Sequence, residues 1–444
     1  MKTRTFKGGV HPYDGKELSC DSPITRLSPK GELTYLMSQH IGAPAKPIVK
    51  PGDRVLVGQT IAEAGGFVSA DICASVSGTV KKVAPVITGS GDEVMAIIVE
   101  NDNEYEAVEG LGEARDYEKL TKDEIRQAVK HAGLVGMGGA GFPTSVKLAV
   151  KDDSKIDYVI VNGAECEPYI TCDYRLMIEQ TEKAVLGLKI LLRLFENAKG
   201  VFAIESNKPL GIQKLSEAVA GSERMYVQPL KKKYPQGGER VIISAVTGRK
   251  INSGKLPADA GCVVINYATL LAVADAVAYN TPLISRVVTV TGDDIVHPSN
   301  FEVPLGICAN ELVEAAGGFT QEPEKVIFGG PMMGGSVSGL DQPVTKTTSC
   351  ILCLAHDDVA SMEPSACIRC GKCLEVCPER LMPAKLKNSA DNYKYDVFEK
   401  LGGLECIGCG CCTYICPARR RLSQSISVAK RHVLTEKKKA AAKK

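Results

Sequence analysis

Two stretches near the C-terminus share one cysteine spacing. "CIRCGKCLEVCP" supplies Cys367, Cys370, Cys373 and Cys377 followed by Pro378, and "CIGCGCCTYICP" supplies Cys406, Cys409, Cys412 and Cys416 followed by Pro417. Both read CxxCxxCxxxCP, and nothing else in the chain restricts its fold so tightly. Three thiolates at this pitch wrap one corner of an iron–sulfur cube, while the fourth is carried off on the next turn to ligate the other cube. The ligands therefore cross. Cys367, Cys370, Cys373 and Cys416 are assigned to one 4Fe-4S cluster, and Cys406, Cys409, Cys412 and Cys377 to a second. Thiolates also suit zinc, but zinc sites are built from cysteine pairs, which explains neither the prolines nor the duplication. Cys411 has no place in the spacing and reads as a packed thiol.

Seventeen cysteines is an odd number, and their clustering argues against a secreted disulfide framework and for a reducing compartment. Cys350 and Cys353 in "SCILCL" have a CxxC spacing, but their neighbours are apolar. They read, with Cys20, Cys73, Cys262 and Cys308, as small buried hydrophobes. None of the six histidines has metal-ligand spacing. With 444 residues, 44% apolar and 24% charged, the composition is that of a soluble globular protein of roughly three or four domains. The most apolar run, "CVVINYATLLAVADAVAY", is broken by Asn266 and Asp275, and "MKTRTFKGGVHPYDG" has no apolar signal core, so no membrane span is expected. A net charge of +2 points to neither nucleic acid nor an acidic substrate. From Arg419 to Lys444, however, ten Lys or Arg stand with one acid, Glu436. This basic tail has two readings: a solvated disordered segment, or a docking element for an acidic partner or an anionic membrane face. On either, deletion after Ser427 should spare the cofactors.

The first hundred residues alternate apolar and polar positions around turns, as in "IVKPGDRVLVGQTIAEA" and "ASVSGTVKKV", and predict a small all-β unit. From Thr121 to Tyr279 helical patterns alternate with apolar strands such as "YVIVNGAE" and "VFAIES", the signature of an α/β layer with a mainly parallel sheet. "SRVVTVTGD", "VPLGICANELVEAAGG" and "EKVIFGGPMMGG" then give strand, helix and strand in a β-grasp-like unit whose glycine pairs are read as turns.

Within the α/β layer, "GLVGMGGAGFPTSVK" holds five glycines between Gly133 and Gly141. Gly136, Gly138 and Gly141 satisfy GxGxxG, but the segment ahead, "TKDEIRQAVKHAG", is a helix opened by a capping box from Thr121 to Glu124, where a dinucleotide fingerprint needs a strand. Another kind of phosphate loop is the alternative. Two cubes pass single electrons, so a converter to two-electron chemistry is needed, and a flavin is one. Glycines let backbone approach its ring and phosphate, and a helix after Pro143 offers N–H groups to the phosphate.

The loop resembles "GRGGAGFPTGxK" of the NADH-oxidising subunit of respiratory complex I. "VNGAECEP" from Val161, "YPQGGE" from Tyr234 and "NYATL" from Asn266 resemble that family's "NADExEP", "YxCGEE" and "NVETL", in the same order. The resemblance implies noncovalent FMN contacted by Gly136, Gly138, Gly139 and Gly141, with Lys147 at its phosphate or ring edge. It implies hydrogen bonds from Asn162 and Asn266, and further cofactor contacts from Tyr234, Gly237 and Thr269. Phe142 would stack near the nicotinamide, and Glu165, Glu167 and Glu239 would surround the nicotinamide nucleotide, with Phe142, Glu167 and Glu239 as the catalytic set. Ala164 and Gly238 depart from the pattern, replacing an aspartate and a glutamate, and Val150 stands near an expected aromatic.

The β unit resembles biotinyl/lipoyl carriers at Gly52 to Gln59 and Ala74 to Val80, yet its tip, "GGFVSAD", has no lysine to modify. Its opening, "TFKGGVHPYDGKELS", resembles the family of C subunits of the Rnf electron-transport complex. That resemblance implies five segments: a lipoyl-like barrel-sandwich over 1–112, a Rossmann-like FMN and NADH domain over 113–281, an SLBB β-grasp module over 282–346, a two-cluster ferredoxin domain over 355–425, and a basic tail over 426–444. It implies an NADH-linked oxidoreductase subunit that exchanges hydride between NADH and FMN and relays electrons through two 4Fe-4S clusters. Its partners would be the other Rnf subunits, membrane-bound and ferredoxin-like, with cation transport carried elsewhere in the complex and this chain peripheral on the cytoplasmic face of the membrane. Two alternatives stand beside it: a cluster-bearing scaffold without an NADH site, and a soluble cobalamin-reductase-like flavoprotein, whose relatives begin closer to the flavin loop.

Overall fold

The structure, a computed structural model, describes residues 2–251 and 253–442. Residues 33–101 form the β unit. Leu33–Leu36, Glu93–Asn101, Gly78–Ile87 and Arg54–Val55 make one antiparallel sheet, and Lys46–Pro47, Thr60–Glu63 and Ile72–Cys73 another. Side chains alternate across each strand, so Leu33, Tyr35, Ile61, Val80, Ile97 and Val99 meet in one core between the sheets.

Within the module expected over 1–112, the residues ahead of these strands enter neither of its two sheets. They form a strap. Arg4 bridges Leu230, Val10 bridges Tyr234, and Ile24–Arg26 pairs in parallel with Ser299–Pro304. The Gly9 N–H also donates to the Val376 carbonyl, beside Cys377 (2.7 Å).

The α/β layer has four parallel strands in the spatial order Met225–Leu230, Lys199–Glu205, Tyr158–Gly163, Cys262–Asn266. The chain moves outward from Tyr158–Gly163 through two strands, then returns across it to place Cys262–Asn266 on the other side. That reversal is a topological switch point, and the crevice at the carboxyl ends of the two strands is where such sheets take ligands. The helices Thr181–Leu194 and Tyr267–Ala278 cover one face and bury Leu188, Leu191, Leu270 and Val273.

The β-grasp unit is a six-stranded sheet packed on the helix Ala309–Ala315. It runs past the expected boundary at 346, because Cys350–Leu354 is an inner strand, parallel to Ser285–Thr291 and antiparallel to Lys325–Phe328. This settles the CxxC pair. Residues three apart in a strand face opposite ways, so Cys350 enters the α/β core and Cys353 the β-grasp core, both fully buried.

The cysteine motifs lie among short helices closed by a long one, Leu422–Ala442. The basic tail expected from 426 is thus an ordered helix, and its apolar stripe is the reason. Ile426, Ala429 and Val433 recur at helical spacing and pack on Leu386, Ala390 and Phe398. Cutting after Ser427 would remove part of that core. No helix among the described residues is long and apolar enough to cross a membrane.

Candidate functional site

The glycine loop is a closed turn. Val135 bridges Pro143, the Gly136 N–H donates to the Phe142 carbonyl (2.8 Å), and the Gly141 N–H donates to the Gly136 carbonyl (3.1 Å). Gly138, Gly139 and Ala140 are left exposed at its tip. Gly139 has φ +119°, and a Cβ there would meet no atom within 4 Å, so the tip opens onto space where a planar ligand can approach backbone.

Expected site residues line one edge of that space. Asn162 and Asn266 are register partners at the carboxyl ends of the switch-point strands. A Cβ on Gly138 would stand 3.4 Å from the Asn266 side chain, and the Asn162 Nδ2 donates to the Gly237 carbonyl (2.8 Å). Gly138, Asn266, Asn162 and Gly237 therefore form a continuous line across the crevice. Lys147 donates to Glu239 (2.7 Å) and to the Val264 carbonyl on the sheet's outer edge (2.9 Å). Phe142 is half-buried where the loop closes.

Other expected contacts lie elsewhere. Thr269 is fully buried beneath the loop, where its hydroxyl accepts the Met137 N–H (2.9 Å), so it positions the loop. Gly141 is buried against His40 and Thr347, and faces the β unit. The Glu165 side chain is 4% exposed; it accepts the Asp173 N–H (2.6 Å) at the start of the helix Cys172–Glu179 and lies 3.8 Å from Lys16 and 3.9 Å from Lys208. Tyr234 is buried between Val10 and the second cysteine motif. The helix after Pro143 spans only Thr144–Leu148, and the Thr144 N–H is spent on the Leu134 carbonyl (2.9 Å), so the expected phosphate-facing N–H groups are not all free.

Several supporting residues carry no sequence signal. Asp173 is buried and accepts from Asn266 Nδ2 (2.7 Å), which orients that amide; burial, then Glu165, raises its pKa to about 7. Arg286, from the β-grasp sheet, donates to the Met137 carbonyl (3.4 Å). Lys346 is wholly buried and donates to Gly133 O (2.7 Å) and to Asp71 O, and so holds the start of the loop to the β unit. Gln236 is fully buried, and its Nε2 has no hydrogen-bond partner.

Glu167 sits at a junction. Its carboxylate accepts from the Tyr234 hydroxyl (3.3 Å) and from the Met332 N–H (3.2 Å), and burial pushes its pKa up to about 7. Met332 belongs to "GGPMMGG", read from sequence as a turn. It packs with Val10, Tyr234, Cys409 and Cys411. The loop therefore wedges the flavin side of the molecule against the second cysteine motif. Arg240, next to Glu239, adds an ion pair to Glu405 (2.7 Å) and another to Glu379 (3.5 Å), residues that flank Cys406 and Cys377.

Seven of the eight motif cysteines fall into two groups by their neighbours. Cys412 is pushed up to about 12, first by burial and then by the thiols of Cys409, Cys406 and Cys377 beside it. Cys377, raised chiefly by burial, has Cys409 and Cys406 as neighbours, and Cys373, likewise raised, has Cys416 and Cys367. The first group of four lines a small, partly open cavity together with Pro378 and Leu386, a setting that suits a cluster with four thiolates. No group of three or more His, Cys, Asp or Glu among the described residues is gathered around a single-ion site. Cys411 is buried, with Sγ 3.9 Å from the Tyr234 carbonyl.

Four family models match consecutive parts of the chain: the RnfC barrel sandwich hybrid domain at 4–104, the Nuo51 FMN-binding domain at 129–275, the SLBB domain at 287–335 and the 4Fe-4S dicluster domain at 366–420. The chain is 44% identical over 440 residues to the C subunit of the Na(+)-translocating ferredoxin:NAD(+) oxidoreductase complex of Acetobacterium woodii, covering 99% of both. It is 44% identical over 384 residues to the proton-translocating counterpart of Clostridium ljungdahlii, covering 86% of this chain and 84% of that one. An NAD+-reducing [NiFe]-hydrogenase structure shares the fold at 22% identity and a TM-score of 0.50, over 66% of this chain and 55% of the hydrogenase chain.

Proposed function

Because the chain belongs to the family of C subunits of ion-translocating ferredoxin:NAD(+) oxidoreductase complexes, we propose that it exchanges electrons between NADH and the rest of such a complex. Its cofactors are FMN and two 4Fe-4S clusters. When bound, the flavin supplies the conversion between hydride and single-electron chemistry, and the clusters carry single electrons. The other subunits hold the chain at the membrane, on the cytoplasmic face, and one of them exchanges electrons with it.

The observation that carries this reading is the junction of Glu167, Tyr234 and Met332, which presses the second cysteine motif against the flavin side while Cys367 and Cys370 of the first stay exposed. The order of relay is then crevice, second cluster, first cluster, partner. Gly138 and Gly139 admit the flavin ring against the backbone, and Asn162 and Asn266 orient its polar edge. Lys147, steered by Glu239, presents an ammonium to the cofactor. Phe142 covers the nicotinamide site, and Glu167 closes its floor. The segments of the resemblance serve as functional units, with residues 2–30 redrawn as a strap and residues 422–442 as part of the cluster domain.

The test is to purify the chain without oxygen and measure flavin and NADH-dependent bleaching. FMN content with rapid bleaching is expected. Clusters without flavin would favour the docking scaffold. Glu167→Gln should keep its flavin and slow bleaching, and unchanged kinetics would remove Glu167 from the site.

A further inference from the structure

The second cysteine motif, "CIGCGCC", has no charged side chain of its own, whereas the first, "CIRCGKC", carries Arg369 and Lys372, both exposed. Positive charge reaches the second motif from the helix that follows it. The helix Leu422–Ala442 buries Ile426, Ala429 and Val433 against the cluster domain, and this register turns Lys430 toward the motif. Its Nζ donates to the Cys406 carbonyl oxygen at 2.7 Å. Lys430 is half-buried and, among the described residues, has no salt-bridge partner. Glu405 and Glu379 are the nearest acids; both pair with Arg240, at 2.7 and 3.5 Å, and lie close enough to feel the Lys430 charge without contacting it.

We propose that Lys430 raises the reduction potential of the second cluster above what its cysteine spacing alone would set. Reduction adds one negative charge to the cluster. A fixed ammonium hydrogen-bonded to a ligand residue stabilises that charge, and its partial burial limits screening by salt. Cluster potentials respond to such charges and to hydrogen bonds near the sulfurs. Arg369 and Lys372 do less for the first cluster, because water and counterions screen exposed side chains. The two motifs share a spacing, and Lys430 makes them electrochemically different. It acts through the field at the cluster and touches neither substrate nor flavin.

This inference rests on Cys406 being a ligand of the second cluster. The test uses the full-length holoprotein in a potentiometric titration followed by low-temperature electron paramagnetic resonance, with Cys406→Ser marking the second cluster's signal. Lys430→Gln should lower that cluster's reduction equilibrium constant about tenfold, which is about 59 mV for a one-electron couple. The other signal should stay in place, and Lys430→Arg should behave as wild type. The inference is overturned if the second signal does not move, if both move together, or if Lys430→Arg shifts it as far as Lys430→Gln. Loss of the second cluster from Lys430→Gln would make the residue a structural clamp and would also overturn it. Cys406→Ser leaving both signals intact would overturn the ligand assignment itself, an outcome distinct from an unmoved potential.

Discussion

The two cysteine motifs trace the same backbone. Arg369 and Gly408, Gly371 and Gly410, and Arg380 and Arg419 occupy matching positions, and all have positive φ, between +54° and +79°. Their surroundings differ. Cys367 and Cys370 are exposed, with Ile368 at 65% and Leu374 at 46% exposure beside them, whereas Cys409 and Cys411 are buried under Tyr234 and Met332. Wrapping one corner of a cube is a local matter that a dozen residues settle, with the fourth thiolate lent by the other motif. What the cube then does depends on what the rest of the fold lays over it: one motif is exposed, the other is held to the flavin side with Lys430 of the following helix beside it.

The sharpest way to break this contrast is to remove a crossed ligand. Cys377 lies in the first motif's sequence but among Cys406, Cys409 and Cys412 in space. Cys377→Ser should therefore abolish the paramagnetic signal that Cys406→Ser abolishes and spare the other. Loss of the signal tied to Cys367 instead would make each motif self-contained.

A second prediction concerns the contact that seats the second motif. Glu167 has its pKa raised by burial from 4.5 to about 7. The folded state then binds the proton more tightly than the unfolded one. Its contribution to stability is full below about pH 4.5 and is lost as pH rises through about 7, a change of about 3 kcal/mol at most. Glu167→Gln should flatten that fall. The check is the denaturation midpoint of both proteins at pH 5 and pH 8, where parallel curves would remove Glu167 as the cause; Asp173, also raised, contributes equally to each.

The smallest effect compares equivalent glycines. Alanine at Gly371 or Gly410 costs about 1–2 kcal/mol for a left-handed backbone. At Gly371 the new Cβ meets nothing within 4 Å, but at Gly410 it would stand 3.1 Å from the Met332 carbonyl. Gly410→Ala should thus be the more destabilising by under about 1 kcal/mol, read from unfolding of the two holoproteins. Equal losses would mean that Met332 does not constrain the second motif.

The gathering of the motif cysteines is legible in the sequence because their spacing is set by neighbours a few residues apart. Asn162 and Asn266 were also legible, since each ends an apolar run that becomes a strand. Thr269, Glu165 and Gly141 sit in the right motifs, but whether such a residue faces the ligand or holds the loop from behind depends on the far side of the loop, here the β unit and Lys16. The basic run after Arg419 drew attention to its charge and hid the stripe of Ile426, Ala429 and Val433. Met332, Arg240 and Arg286 had no signal at all, because each matters through a contact with another domain.

The strap has a consequence for how this chain is made. Ile24 pairs with Asn300, so the earlier strand waits for one that emerges 276 residues later. At about 5–20 residues per second, that is a delay of tens of seconds on the ribosome. The β unit, complete by Asn101, closes early, whereas the β-grasp sheet needs both Ile24–Arg26 and Cys350–Leu354. During that interval the strap's backbone is a free strand edge, which the later strands of the β-grasp sheet then cover.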